Sequence, residues 1–234
     1  MSRRRILKDL ISQFADQNGP RSSQDVLEIG AGMGGNLDLV RDFRTVSALD
    51  PSAISNEFLR KSRSNVRVLN ASWPPESDEF DTSSDLILML DVLEHLEDET
   101  LSLEWVSRTL RENGCLLLTV PAYQWLWSTH DVRLHHKRRY SKKVLLSRIE
   151  SAGLEVQFAS YFTTLFFPLA VMQRVANKFK SSANGTSLRQ PCWPKHLQLA
   201  HRLVAFALSV ERSLVRHIGL PFGLSIVVVA KKPS

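Results

Sequence analysis

Three stretches of the 234-residue chain carry residues whose types and spacing could do chemistry. The first is Gly30-Ala31-Gly32-Met33-Gly34-Gly35, directly after the apolar run Asp25–Ile29. Gly30-x-Gly32-x-x-Gly35 formally matches a dinucleotide-binding fingerprint, in which glycines permit a tight turn and bring backbone close to a ligand. Glu28 stands two residues before the turn, where a carboxylate can face the ligand crevice and attract a cation. Asp50 closes the run Val46–Leu49, and a carboxylate at a strand end suits a ribose diol. The second stretch is Asp91-Val92-Leu93-Glu94-His95. If it opens a helix, Asp91, Glu94 and His95 share one face, and such a face could bind a divalent cation that polarises an acceptor hydroxyl. The third runs from Pro121 to Tyr140 and holds Trp125, Trp127, His130, His135, His136 and a basic cluster. His130, beside Asp131, could act as a base near neutral pH. His130, Asp131 and His136 are therefore the expected catalytic residues. Trp127, Arg138, Arg139 and Tyr140 are the expected substrate contacts, the arginines for a phosphate or carboxylate.

The stretches VLEIGAGMGG, LDPS and DLILMLDVLEHLEDE, in this order and spacing, resemble the successive motifs of class I S-adenosylmethionine-dependent methyltransferases over about residues 25–121. The resemblance implies S-adenosylmethionine as cofactor, with S-adenosylhomocysteine as product. It implies that Glu28 orients the methionine amino group, that Gly30, Gly32 and Gly34 lie against the cofactor, and that Asp50, with Pro51 beside it, takes the ribose hydroxyls. Asp91 is placed at the same pocket. The family often has an acid after the third strand to hold the adenine amino group; here Asn70 and Ala71 stand there, and the Asn70 carbonyl could accept from an amine. Trp73 could pack on the adenine. The stretch Asp91–His95 is also similar to that of many methyltransferases that use no metal, where it shapes the cofactor pocket; that reading is adopted, and no metal is assigned. A nicotinamide enzyme usually has an apolar residue where Glu28 stands.

The elements that must position these residues alternate. Short apolar runs at Asp25–Ile29, Val46–Leu49, Val66–Leu69, Asp85–Leu90, Cys115–Val120, Leu154–Phe158 and Leu224–Ala230 predict strands. Helices are expected over Gly34–Arg41, Ala53–Arg60, Thr100–Leu110 and Ser141–Ala152. Continuous apolar strands between helices predict a parallel sheet covered on both faces. The resemblance adds a Rossmann-like, seven-stranded α/β sheet whose last strand runs antiparallel. Ile6, Leu7, Leu10, Ile11 and Phe14 predict an amphipathic helix within residues 1–20. Residues 21–162 and 221–234 form the expected core. Residues 163–220 depart from the alternation and read as a helical lid or insertion, with a polar loop at 181–194 and a helix from about Lys195 to Ile218.

Composition bounds the rest. At 43% hydrophobic and 23% charged residues the chain reads as globular rather than disordered. Two cysteines, Cys115 and Cys192, exclude a disulfide framework and a four-cysteine zinc site. The runs Leu165–Met172 and Leu203–Leu208 fall well short of the ~20 residues that span a bilayer. Lys8 and Asp9 interrupt any signal-like apolar stretch after Arg3–Arg5. A cytoplasmic protein is expected, with peripheral membrane contact through the insertion as an option. The net charge of +6 is unevenly spread: residues 1–120 hold 13 basic and 20 acidic side chains, and the remainder hold 17 and 4. The basic half implies an anionic partner. The expected function is methyl transfer to a small-molecule or lipid-linked acceptor with an anionic group, at oxygen. The alternatives are an RNA methyltransferase, for which the aromatic, basic loop would supply stacking and phosphate contacts, and a non-catalytic module that binds S-adenosylmethionine.

Overall fold

The computed structural model describes residues 2–69, 73, 83–180, 208–216 and 218–234. Seven strands form one sheet: β1 (Asp25–Ile29), β2 (Thr45–Leu49), β3 (Val66–Leu69), β4 (Ser84–Leu90), β5 (Leu110–Pro121), β6 (Glu155–Phe162) and β7 (Ser225–Lys231). Their order is β3-β2-β1-β4-β5-β7-β6. β1 pairs in parallel with β2 and β4, β2 with β3, and β4 with β5. β7 runs antiparallel to both of its neighbours, β5 and β6. This is the Rossmann-like sheet expected, with the antiparallel last strand inserted beside β5. The strand order reverses between β1 and β4, and that reversal opens a crevice beyond their carboxyl ends, where open α/β sheets bind ligands.

The unbroken apolar runs are explained by burial on two sides, since successive residues of a strand point to opposite faces. Leu86, Leu88 and Leu90 of β4 enter one core, together with Ile6, Leu7, Leu10 and Ile11 of α1 (Ser2–Phe14). Ile87 and Met89 enter the other, with Leu103 and Val106 of α3 (Glu99–Thr109) and Leu145 and Ile149 of α5 (Lys142–Ser151). The helix starts follow their caps. Ser52 accepts from Ser55 N at the head of α2 (Ala53–Ser62), Asp98 from Leu101 N at α3 and Ser141 from Val144 N at α5. A short α4 (Thr129–Arg133) and an α6 (Phe167–Lys180) complete the set, with a further helical segment over residues 208–216. That last segment is tied to α1, for Arg212 Nη2 donates to Asp9 Oδ1 at 2.7 Å.

Three expectations are corrected. No α-helix forms over Gly34–Arg41; a single 3₁₀ turn at Leu37–Leu39 stands in its place. Gly30, Gly32 and Gly34 all hold positive φ, so a right-handed helix cannot begin before Gly35, and only nine residues then separate Gly35 from β2. β5 is longer than Cys115–Val120. The turn Glu112-Asn113-Gly114 is absorbed as a bulge, with Ser84 opposite Leu110 and then Leu86 opposite Cys115. Asn113 sits at φ 64° and exchanges backbone bonds with Lys232, through Asn113 N to Lys232 O and Lys232 N to Gly114 O. β6 likewise extends past Phe158 to Phe162, because Ala159–Phe162 find partners in β7. The expected loop at 181–194 and most of the expected helix at 195–218 lie outside the described residues.

Candidate active site

The glycine turn joins β1 to the end of β2. Gly30 N donates to Leu49 O at 2.8 Å and Gly32 N to Asp50 Oδ2 at 2.8 Å. Asp50 Oδ1 also accepts from Ser52 N, and Asn56 Nδ2 donates to the Asp50 carbonyl, so the strand end and the turn brace each other. A carboxylate has about four acceptor positions, which leaves Asp50 capacity for a diol. Pro51 is exposed next to it, at the entrance to α2. A Cβ on Gly30 would come within 2.4 Å of Val92 Cγ2, whereas one on Gly32 would meet nothing within 4 Å. Gly30 is therefore fixed by packing against the chain after β4, and Gly32 borders open space.

Glu28 is buried in β1 at 1% exposure. Asn36 Nδ2 donates to its Oε1 at 3.3 Å, and its Oε2 has no hydrogen-bond partner among the described residues. Burial pushes the carboxyl up to about 7; the Asn36 bond opposes this and the charge of Asp50 adds to it. An orphaned buried carboxylate oxygen is what the ammonium of a methionine moiety would satisfy. Glu28, Gly30, Gly32 and Asp50 thus converge on one end of the sheet and fit S-adenosylmethionine. Asn70 and Ala71 lie outside the described residues. Trp73 does not stand free for an adenine. Its Nε1 donates to Ser102 Oγ at 3.1 Å and its ring meets Trp105 edge to face.

Asp91 follows β4 at φ 58°, and the expected helix does not form. A 3₁₀ turn at Leu93–His95 takes its place. Asp91 is drawn off by an ion pair with Arg3 of α1 and accepts from Thr119 Oγ1 at 2.9 Å. Glu94 and His95 instead meet His136. These residues, with Ser128, Arg139 and Arg174 of α6, line a cleft of about 500 Å³. Glu94 is fully buried, and neither carboxylate oxygen has a hydrogen-bond partner among the described residues. Burial first, then the charge of Asp91, pushes it up to about 8. Burial, and then His136, pulls His95 down.

Asp131 is the centre of this region. It is fully buried and accepts from Ser128 N and Oγ, each at 2.8 Å, from Arg139 Nε at 2.7 Å, and from His136 Nδ1 at 3.0 Å. Burial opposes its charge, but the bonds from Arg139, Ser128 and His136 outweigh it and hold Asp131 at about 2. With an ionised acceptor on Nδ1, the His136 tautomer carries its proton there and leaves Nε2 with the lone pair. His130 lines the cleft but is exposed, and it does not pair with Asp131 despite being its neighbour. Of the expected substrate contacts, only Arg139 lines the cleft. Arg138 donates to the carbonyls of Leu96 and Glu97 and pairs with Glu99. Tyr140 is buried and donates to Glu99 Oε2 at 2.7 Å. Both serve packing, and Trp127 lies outside the lining. Arg174 also lines the cleft, and it is not among the residues expected there from the sequence. It donates through Nε to Leu126 O at 3.0 Å, and burial lowers its pKa.

Residues 2–164 match the family model described as a methyltransferase domain. A protein of Mycolicibacterium smegmatis named a probable S-adenosylmethionine-dependent methyltransferase is 30% identical over 141 residues, 58% of this chain and 54% of its own length. A relative of the same description from Mycobacterium tuberculosis is 29% identical over 135 residues, 56% of this chain and 49% of its own length. The chain spans about half the length of these curated relatives. In fold it is similar to an S-adenosylmethionine-dependent methyltransferase from Mesorhizobium loti, with TM-score 0.59, 12% identity and 94% and 97% of the two chains covered. It is also similar to the phosphoethanolamine N-methyltransferase 2 of Haemonchus contortus in complex with S-adenosyl-L-methionine, with TM-score 0.56, 16% identity and 97% and 53% covered. None of the described helices is long and apolar enough to cross a membrane.

Proposed function

The chain belongs to the class I S-adenosylmethionine-dependent methyltransferase family, and from that premise we propose that it transfers the cofactor's methyl group to an oxygen of a small or lipid-linked acceptor bearing an anionic group. The observation that carries the reading is the buried Asp131–His136 pair in a cleft that also holds Arg139, Arg174 and His130. S-adenosylmethionine, when bound, supplies an electrophilic methyl group on a sulfonium. Glu28 takes the ammonium and Asp50 the ribose, and these two ends fix where the methyl group lies. His136, with its lone pair on Nε2, activates the acceptor hydroxyl, and Asp131 stabilises positive charge on the ring. Arg174 gives the acceptor's anion a partner: it is short of solvation in the cleft and has, among the described residues, only the Leu126 carbonyl to satisfy it. Exposed Leu169 and Met172 on the same helix suit an acceptor with an apolar portion, or contact with a membrane surface.

The test is methyl transfer from labelled S-adenosylmethionine to hydroxylated acceptors matched with and without a carboxylate or phosphate. Anionic acceptors should be preferred. His136→Asn should lower turnover about 100-fold or more while leaving S-adenosylhomocysteine affinity unchanged. Equal use of neutral acceptors, or full activity in His136→Asn, would overturn the reading. An RNA acceptor would show itself instead by a steep loss of binding as salt rises.

A further inference from the structure

We propose that Glu94, His95 and His136 form a binding site for a divalent transition-metal ion at the base of the acceptor cleft. One carboxylate oxygen of Glu94 and one ring nitrogen from each histidine lie within 4.8 Å of one another. Ligands of a common ion at ~2.1 Å stand ~3.4 Å apart in tetrahedral geometry, so side-chain adjustments of about an ångström close the set. Glu94 is fully buried, and among the described residues neither of its carboxylate oxygens has a hydrogen-bond partner. A buried carboxylate left this way is costly unless a positive charge completes it. Arg3 and Arg139 do not bond to it; their guanidinium groups are spent on Asp91 and Asp131.

The histidines are prepared in the manner of ligands. His136 gives Nδ1–H to the Asp131 carboxylate, which fixes the ring and leaves Nε2 free to coordinate; ligating histidines commonly have such a partner. His95 stands edge to face with it, with ring centroids 4.8 Å apart. The two ligand segments are also clamped by backbone, because Lys137 N donates to Glu94 O at 2.8 Å. Asp91 is not a member. Its left-handed backbone and its pairing with Arg3 take it out, so the set is two imidazoles and one carboxylate drawn from both sides of the cleft. Two nitrogens and one oxygen suit Zn²⁺, Mn²⁺, Fe²⁺ or Co²⁺ rather than Mg²⁺ or Ca²⁺. The cleft leaves coordination positions for a hydroxyl oxygen of the acceptor, whose proton the cation would make easier to remove; in that state His136 Nε2 is a ligand rather than the base, and the proton would pass to His130, which lines the same cleft. That last role, though not the site itself, rests on the methyl-transfer reading above.

The experiment is a titration of chelator-treated full-length protein with Co²⁺, followed by ligand-field absorption and by calorimetry, with Zn²⁺ and Mn²⁺ as competitors and Mg²⁺ as control. One Co²⁺ per chain is expected, displaced by Zn²⁺ and not by equimolar Mg²⁺. Glu94→Gln and His136→Asn should each weaken binding 100-fold or more, and Asp131→Asn about 10- to 100-fold through the loss of its hold on His136. S-adenosylhomocysteine titration of every variant reports whether it is folded; His95→Gln serves as the ligand variant if either of the first two fails that check. Absence of stoichiometric Co²⁺ binding, or binding that survives ligand substitution in a variant that still takes up S-adenosylhomocysteine, overturns the proposal and leaves the methyltransferase reading intact. Metal binding without any uptake of S-adenosylhomocysteine would instead overturn the cofactor assignment and leave the metal site standing.

Discussion

Glu28→Gln separates what a buried carboxylate costs the fold from what it contributes to the cofactor. The substitution keeps the shape and an oxygen for Asn36 to donate to, and it removes the charge. In the folded chain without cofactor the Glu28 carboxyl sits at about 7, raised from 4.5 chiefly by burial. A carboxyl raised on folding stabilises the fold fully below its unfolded value, and that contribution is lost as pH rises through the folded value. Ionising Glu28 at pH 8 therefore costs on the order of 3 kcal/mol. The Gln variant, free of cofactor, should melt roughly 6–12 °C above the parent at pH 8, and the gap should nearly close at pH 5. Binding runs the other way. The ammonium requires the ionised carboxylate, so parent affinity for S-adenosylmethionine should rise about 30-fold from pH 5.5 to pH 8 and flatten above 7. In the variant that dependence should vanish, and affinity at pH 8 should fall about 10- to 100-fold, the value of a hydrogen bond to a charged group. Calorimetric titration and thermal melts across this pH range measure both halves. 5′-Methylthioadenosine, which lacks the amino-acid portion, should bind parent and variant alike. A variant that binds S-adenosylmethionine as tightly as the parent, or a parent whose affinity is flat from pH 5.5 to 8, would refute the assignment of Glu28 to the ammonium.

Three further outcomes follow from local geometry. Gly30→Ala places a Cβ 2.4 Å from Val92 Cγ2 at a φ of 69°, and should cost about 1–2 kcal/mol in backbone strain alone; urea unfolding and S-adenosylhomocysteine titration should both show the loss. Asp131→Asn removes a carboxyl held at about 2, whose stabilising contribution is present above 3.8 and lost as pH falls through 2. The variant should be less stable by about 2 kcal/mol at pH 7, with the difference shrinking between pH 4 and pH 2 in denaturant unfolding. Tyr140→Phe breaks the buried bond to Glu99 and should lower stability by about 1–2 kcal/mol. Its KM for an anionic acceptor should be unchanged, which distinguishes a packing role from the substrate contact expected from sequence.

How much of the site was legible in the sequence divides along the same line as the site itself. The cofactor half is encoded locally. Glu28, the glycine turn and Asp50 lie on or just beyond two adjacent strands, so strand periodicity and turn chemistry suffice to bring them together, and the structure adds a bond from Gly32 N to Asp50 Oδ2. The strands were legible for the same reason, since two-sided burial writes itself as an unbroken apolar run. The ends that strayed did so through tertiary pairing, as where Lys232 captures the turn before Cys115 and turns it into a bulge. The half we propose for the acceptor is encoded non-locally. Nothing in the neighbourhood of His130 and Asp131 says that the carboxylate will turn away from His130 and take His136, because that choice is made by a capping box and by Arg139 arriving eight residues later. Nothing in Asp91–His95 says that a left-handed residue will break the helical face, or that an arginine from α1 will claim Asp91 and leave Glu94 and His95 to a histidine forty residues further on. The composition of the loop at 121–140 marks it as chemically loaded, but the roles within it are assigned by partners that only the fold supplies. Two adjacent arginines, Arg138 and Arg139, show the consequence: one is spent on the carbonyls of Leu96 and Glu97, the other on the carboxylate that orients His136.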